Sequence, residues 1–196
     1  GRTYWEVQEN FGAARKYSAA AVSQSAARFF GTARGAQKPF YLVVNIADPH
    51  KPNFNDAEAA ASGADAFAPS RIIAEGEVAV SGFLPDLPGI RADLRNYQNS
   101  VKRADDTLGA IMAALAASGL EKETLVIFLS DHGMPFPFAK SSVYDNSLRT
   151  PLVIAWPGWI APGGVENQRV AIILAGEIKR VPRNFQNVGF AFHHKH

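Results

Sequence analysis

Two tripeptides hold most of the side chains able to do acid–base or metal chemistry, Asp48-Pro49-His50 and Asp131-His132-Gly133, and each closes an apolar run. A histidine whose ordinary pKa is about 6.5 can act as a general acid or as a donor to an anion. In that position His50 is a candidate for either task, or a loop histidine in solvent. Adjacent Asp131 and His132 can ligate one cation together only if the backbone turns between them, because strand geometry sends neighbours to opposite faces. Carboxylate oxygen alone favours Ca²⁺ or Mg²⁺, and an added imidazole nitrogen widens the choice to Mn²⁺ or Zn²⁺. The alternative is an Asp capping the next turn beside a His bonded to nearby backbone. Gly133 would permit a positive φ directly after the pair. Lys140 follows the stiff stretch Met134-Pro135-Phe136-Pro137-Phe138. A lysine there can hold a sulfate or phosphate oxygen as a point charge, or simply be solvated. Of the five histidines, three lie in the terminal His193-His194-Lys195-His196, a stretch able to bind metal adventitiously.

The elements that must position these groups are legible from periodicity. Phe40-Tyr41-Leu42-Val43-Val44-Asn45-Ile46-Ala47 is apolar on both faces, as a strand inside a covered parallel sheet would be. Thr124 to Ser130 forms a second such run, and Pro151-Leu152-Val153-Ile154-Ala155-Trp156 a third that stops at Pro157-Gly158. Residues 13–30 predict a helix stopped by Gly31. Residues 91–119 predict a longer one, with Leu94, Tyr97, Val101, Ala104, Leu108, Ile111 and Leu115 at steps of three and four and Gly119 as its end. Between them, residues 51–90 are rich in Gly, Pro, Ala and Asp and read as a long excursion that shapes a site or hides short elements. Strands separated by a long amphipathic helix predict an α/β fold with a parallel sheet and helices on its faces. Ligands of such sheets sit beyond the carboxyl ends of the strands, where both tripeptides fall.

Composition narrows the function classes. The chain has 196 residues, 47% hydrophobic and 19% charged, and no apolar run approaches the roughly 18 residues of a membrane span. Its net charge of +2 is concentrated in residues 166–196, where five Lys/Arg face two Glu. The neutral body argues against nucleic acid as a partner. The absence of cysteine excludes disulfides, thiolate metal sites and cysteine nucleophiles among these residues.

The ordered set Asp48-Pro49-His50, Phe83-Leu84-Pro85-Asp86-Leu87-Pro88, Arg91 through Gly109, Ser130-Asp131-His132-Gly133-Met134-Pro135-Phe136-Pro137, Lys140, Tyr144, Arg149-Thr150-Pro151-Leu152 and Trp156-Pro157-Gly158 resembles the second half of a sulfatase catalytic domain. The Met-Pro-Phe-Pro extension is similar to the branch that contains heparan N-sulfatase. The resemblance runs from about residue 38 to 165. It implies an alkaline-phosphatase-like α/β sheet flanked by helices on both faces, here incomplete, with residues 1–165 forming part of the catalytic domain and 166–196 an atypical basic tail. It implies hydrolysis of sulfate esters or sulfamates, with sulfated carbohydrate as the substrate class, and with neither nucleic acid nor membrane as partner. A divalent cation, usually Ca²⁺, is expected, with Mn²⁺ or Zn²⁺ also compatible. Carried over position by position, Asp131 and His132 match two metal ligands, His50 the histidine facing sulfate and leaving group, and Lys140 the residue that holds the anion. The compartment implied is periplasmic or otherwise extracytoplasmic.

The chain departs from the family pattern in three places: before Asp48, at position 132, and beyond about Arg169, where the family's expected continuation is missing. The family's formylglycine nucleophile arises from Cys or Ser in a Cys/Ser-x-Pro/Ala-x-Arg motif that precedes the Asp-Pro-His strand, and residues 1–47 contain none; the expectation is a segment without hydrolytic activity of its own. Phe67-Ala68-Pro69-Ser70-Arg71 ends like that motif but has Phe at the convertible position and lies after His50. Position 132 is often Asn in the family. Two other readings remain open from sequence: phosphodiester or phosphonate monoester hydrolysis on the same scaffold, and a non-catalytic, anion-binding remnant.

Overall fold

The computed structural model describes residues 7–164 and the backbone of 187 and 188. The order is α1 (Ala19–Ala36), β1 (Phe40–Tyr41), α2 (Ala57–Ser62), α3 (Pro88–Ser118), β2 (Thr124–Leu129), α4 (Asp145–Leu148), β3 (Leu152–Ala155) and β4 (Asn187–Val188), with short 3₁₀ turns between. The basic tail lies outside the described residues except for β4.

Helix α1 starts where Ser18 caps it, its hydroxyl accepting from the Ala21 amide at 3.2 Å. It runs through Gly31 to a left-handed Gln37, so the predicted stop at Gly31 is displaced. An interior glycine costs a helix only about 1 kcal/mol relative to alanine. Gly31 has no neighbour within 4 Å of its missing β-carbon, and no packing interaction is lost there. Helix α3 has Pro88 in its first turn and ends on Gly119 at φ 76°.

The core lies between these two helices and one face of the sheet. Val22, Ala26 and Phe30 of α1 meet Ile111 and Leu115 of α3 and Val126 of β2, with Phe40, Leu42, Val44, Ile46 and Phe128 packed alongside. The period of two in residues 40–46 shows the extended chain continuing past β1 with its even positions inward. Here the sequence expectation needs correction. Tyr41 is exposed, as is Asn45, so among the described residues this run is covered on one face only.

The sheet order is β1-β4-β2-β3. β4 pairs parallel with both β1 and β2, Asn187 facing Phe40 on one side and Thr124 on the other. β1 and β2 therefore run in the same direction and in step. β3 pairs antiparallel with β2, Ile127 opposite Ile154. The third strand thus departs from the all-parallel expectation. The 22 residues between β2 and β3 contain only the short α4, not the long crossover helix that a parallel return requires.

The residues buried along the middle of α3 are polar. Asn96, Asn99, Ser100, Arg103 and Thr107 are buried, whereas Val101, placed in the apolar stripe from its spacing, is exposed. These groups face the excursion of residues 51–90 and supply its missing hydrogen-bond partners. Ser100 accepts from the Phe54 amide at 2.8 Å, and Asn99 accepts from the Ile73 amide at 2.8 Å while donating to the Ile73 carbonyl at 3.2 Å. Asn96 donates to Asp56 at 3.0 Å, and Asp106 accepts from the Ser70 amide at 2.6 Å. A loop without its own ladder is thus satisfied by side chains from one helix.

Candidate active site

The register of β1 and β2 fixes where the two chemical tripeptides fall. Phe40 and Thr124 are level through their shared neighbour Asn187. At similar rise per residue, chain leaving Phe40 reaches Asp48-Pro49-His50 about where chain leaving Thr124 reaches Asp131-His132. Both motifs therefore reach the carboxyl rim of the parallel pair.

Asp48 belongs to the scaffold of that rim. It is buried and receives two bonds from Arg103 of α3, at 2.7 Å from Nε and 2.9 Å from Nη2. The guanidinium, 1% exposed, also donates from Nη1 to the Ala64 carbonyl at 2.7 Å and the Phe67 carbonyl at 3.0 Å. It lies over the Tyr17 ring at 4.5 Å. Burial pushes the Asp48 carboxyl above the ordinary carboxylate range, with the Arg103 bonds pulling the other way. The pair pins the strand end to α3, and a tight turn closes on it, the His50 amide donating to the Ala47 carbonyl at 3.1 Å. His50 is half-buried, its Nδ1 2.5 Å from the Lys51 carbonyl oxygen.

Asp131 and His132 are brought together. Asp131 Oδ1 lies 3.6 Å from His132 Nε2. The backbone turns between them as joint ligation requires. His132 Nδ1 sits 2.8 Å from the Gly133 carbonyl, so this nitrogen carries the proton and Nε2 presents its lone pair. That Nε2 is buried and has no hydrogen-bond partner. Two acceptors thus face each other across a gap too long for a hydrogen bond. The gap is close to the ligand–ligand spacing left by cation–ligand bonds of roughly 2.3–2.6 Å. The donor set therefore fits a divalent cation, with oxygen and imidazole nitrogen as its chemistry. No group of three or more His, Cys, Asp or Glu gathers among the described residues, so this pair is a partial ligand set.

Gly133 has a role different from the one read in its sequence context. It does not take a positive φ. A β-carbon there would stand 2.0 Å from the Asn146 carbonyl oxygen, and the Gly133 amide donates to the Ser147 carbonyl at 2.9 Å. Only glycine lets the rim loop lie directly on α4.

Lys140 lies on the loop that follows. Its amide donates to the Met134 carbonyl at 3.0 Å, and the loop is anchored by buried Phe136, whose ring meets Tyr97 of α3 edge-on at 5.7 Å. Burial raises the Tyr97 phenol above its ordinary range. The Lys140 ammonium makes no ion pair with a described carboxylate. Phe67 to Arg71, the look-alike of the nucleophile motif, is structural: Phe67 holds Arg103, Ser70 bonds Asp106, and Arg71 pairs with Glu77.

Sequence reasoning missed two groups. The polar row of α3 was signalled by Asn96, Asn99, Ser100, Arg103 and Asp106 at helical spacing, a second stripe beside the apolar one. The exposed pair Phe138 and Tyr144 was signalled only by two aromatics bracketing Lys140.

Among the candidate site residues only the neighbours Asp131 and His132 are in direct proximity, and comparison with known proteins gives the class. The sulfatase family model matches residues 2–175. The chain belongs to the sulfatase family, and so has its alkaline-phosphatase-like α/β fold. It is similar to human N-sulphoglucosamine sulphohydrolase, 30% identical over 132 residues, which are 61% of this chain and 26% of that protein. It is also similar to an ulvan-active sulfatase of Formosa agariphila, 30% identical over 150 residues, 73% of this chain and 28% of the relative. An endo-4-O-sulfatase of Bacteroides thetaiotaomicron is 33% identical over 141 residues, 67% of this chain and 26% of its own length. The chain spans about a quarter of the curated relatives it matches.

Proposed function

We propose that these residues form the metal-binding and anion-holding side of a sulfatase active site that hydrolyses sulfate esters or sulfamates of sugars. The observation that carries this reading is the buried, unpartnered Nε2 of His132 facing Asp131 at 3.6 Å, within a chain of this family. Asp131 and His132 hold the cation, most simply Ca²⁺, and a bound cation would offset charge on the sulfate oxygens. Lys140 supplies a fixed positive charge to the same anion. His50 gives a proton to the oxygen or nitrogen that leaves the sulfur. The family's nucleophile is not among these 196 residues, which contain no Cys and no Ser in the required motif. We therefore assign negligible turnover to the chain by itself.

The test has two parts. Calorimetry on the 196-residue chain should find Ca²⁺ binding that Asp131→Ala and His132→Ala each weaken by tenfold or more. Supplied with a segment carrying the family's nucleophile motif, the protein should hydrolyse N-sulfoglucosamine or aryl sulfates. His50→Ala should lower that turnover about 10²–10⁴-fold, the usual contribution of a general acid. Turnover unchanged in both His50→Ala and Asp131→Ala would remove these roles. Parallel assays with phosphodiesters and phosphonate monoesters distinguish the alternative on the same scaffold, since faster turnover of those would reassign the reaction.

A further inference from the structure

The loop bearing Lys140 carries two large aromatics that the anion chemistry does not use. Phe138 and Tyr144 are 55% and 56% exposed, with ring centroids 5.7 Å apart and planes at 73°. Phe is among the residues most often fully buried, and Tyr is intermediate. This pair instead stands in water on a loop held from below. Phe136 is buried against Tyr97, Ala139 is fully buried, and the Ser142 hydroxyl donates to the Ala139 carbonyl at 2.7 Å.

Phe138 also holds φ 63°, as does Ser141. The left-handed region is unfavourable for a residue with a β-carbon, and a bulky side chain there is uncommon. Glycine would serve the turn better if only the turn mattered. The strained conformation is held by the bonds around it and keeps the Phe138 ring outward; such strain concentrates at ligand sites. Lys140 sits between the two aromatics in sequence. A charge for an anion and rigid apolar faces for what the anion is attached to are thus on one short loop.

We propose that Phe138 and Tyr144 form an angled platform for the sugar ring of the substrate, one ring stacking on its C–H face and the other, at 73° to it, lying against its edge, while Lys140 takes the sulfate. The ligand class is a sulfated pyranose, with a polar edge for hydrogen bonds and an apolar face suited to aromatic rings, as small-molecule sites commonly combine. The proposal rests on the rim being a sulfated-sugar site and adds the residues that select the sugar.

The 196-residue chain is titrated with N-sulfoglucosamine, glucosamine and inorganic sulfate in Ca²⁺-containing buffer, following the ring resonances of Phe138 and Tyr144 by NMR. N-sulfoglucosamine should shift both rings, and inorganic sulfate neither. Phe138→Gly combined with Tyr144→Ala should weaken N-sulfoglucosamine about tenfold, a change of one decade in Kd. The affinity for sulfate should be unaltered, and Phe138→Trp should retain sugar binding. Glycine relieves the left-handed strain at 138, so a melting temperature at or above that of the parent shows that the fold is kept. N-sulfoglucosamine bound equally by parent and double variant, while Lys140→Ala loses both ligands, overturns the platform and leaves the anion site standing. Binding lost in the double variant but untouched by Lys140→Ala and Asp131→Ala keeps the platform and overturns the reading of the rim. N-sulfoglucosamine that moves neither ring refutes the platform outright.

Discussion

At Gly133 a single missing β-carbon lets the loop that follows Asp131 and His132 lie directly on α4. The 2.0 Å approach to Asn146 leaves no room for alanine, and the carbonyl it would strike is backbone. We expect Gly133→Ala to push the rim loop off α4, costing about 1–3 kcal/mol as an overpacked contact. It should also weaken Ca²⁺ binding by tenfold or more, although neither ligand is changed. Chemical denaturation and calorimetry on the same variant check both effects. The chemistry of this region was legible in the sequence because Asp and His are chemically conspicuous at a strand end. The reason for the glycine was not, because its neighbour comes thirteen residues later and is a backbone atom that no side-chain pattern encodes. Asp48 shows the reverse case. It stood out in the sequence beside His50, and its carboxylate is engaged by Arg103 within the fold.

Helix α3 has two jobs on different parts of its surface. Ile111 and Leu115 close the core, and Asn96 through Asp106 hold the excursion that follows His50. Asn99→Ala would strand the Ile73 amide and carbonyl, and an unsatisfied buried backbone group costs about 1–3 kcal/mol. The expected outcome is a lower melting temperature together with faster amide exchange around Ile73, while amides of α1 keep their protection relative to global unfolding. Uniform loss of protection across the chain would mean that the excursion does not open separately. The helix itself was plain from its period, and its ends from Pro88 and Gly119. What its polar row packs against was not legible, because periodicity gives the angle of a stripe and not what lies opposite it. The gentle error at Gly31 has a similar origin, since a glycine marks a helix end only where the following chain turns left-handed, and that happens at Gln37.

Over the molecule, the described helices α1 and α3 pack on one side of the sheet. Register places Tyr41, Leu125, Ile127 and Ile154 on the face away from α1 and α3. Of these, Tyr41 and Ile154 are 50% and 43% exposed. Among the described residues β3 is also an edge strand, and exposed apolar edges promote association. The isolated chain should therefore self-associate at high concentration, and sedimentation should show Ile154→Lys shifting it toward monomer. A monomeric parent under the same conditions would show that this face is already protected. The strands were readable from their apolar runs, but their directions were not, because the pattern reads alike both ways. That is why β3 was expected to be parallel. β4 carried no strand signature at all and takes its place from its neighbours.

The ion pair between Asp48 and Arg103 has one more result for the molecule as a whole. It ties the backbone two residues before His50 to the centre of the longest helix, so the histidine's position is settled when the core forms. In the role proposed for His50, the conformational freedom lost in placing that group would be given up once, during folding, and would not be lost again each time an anion arrives. A rim built this way would meet the proposed ligand already ordered.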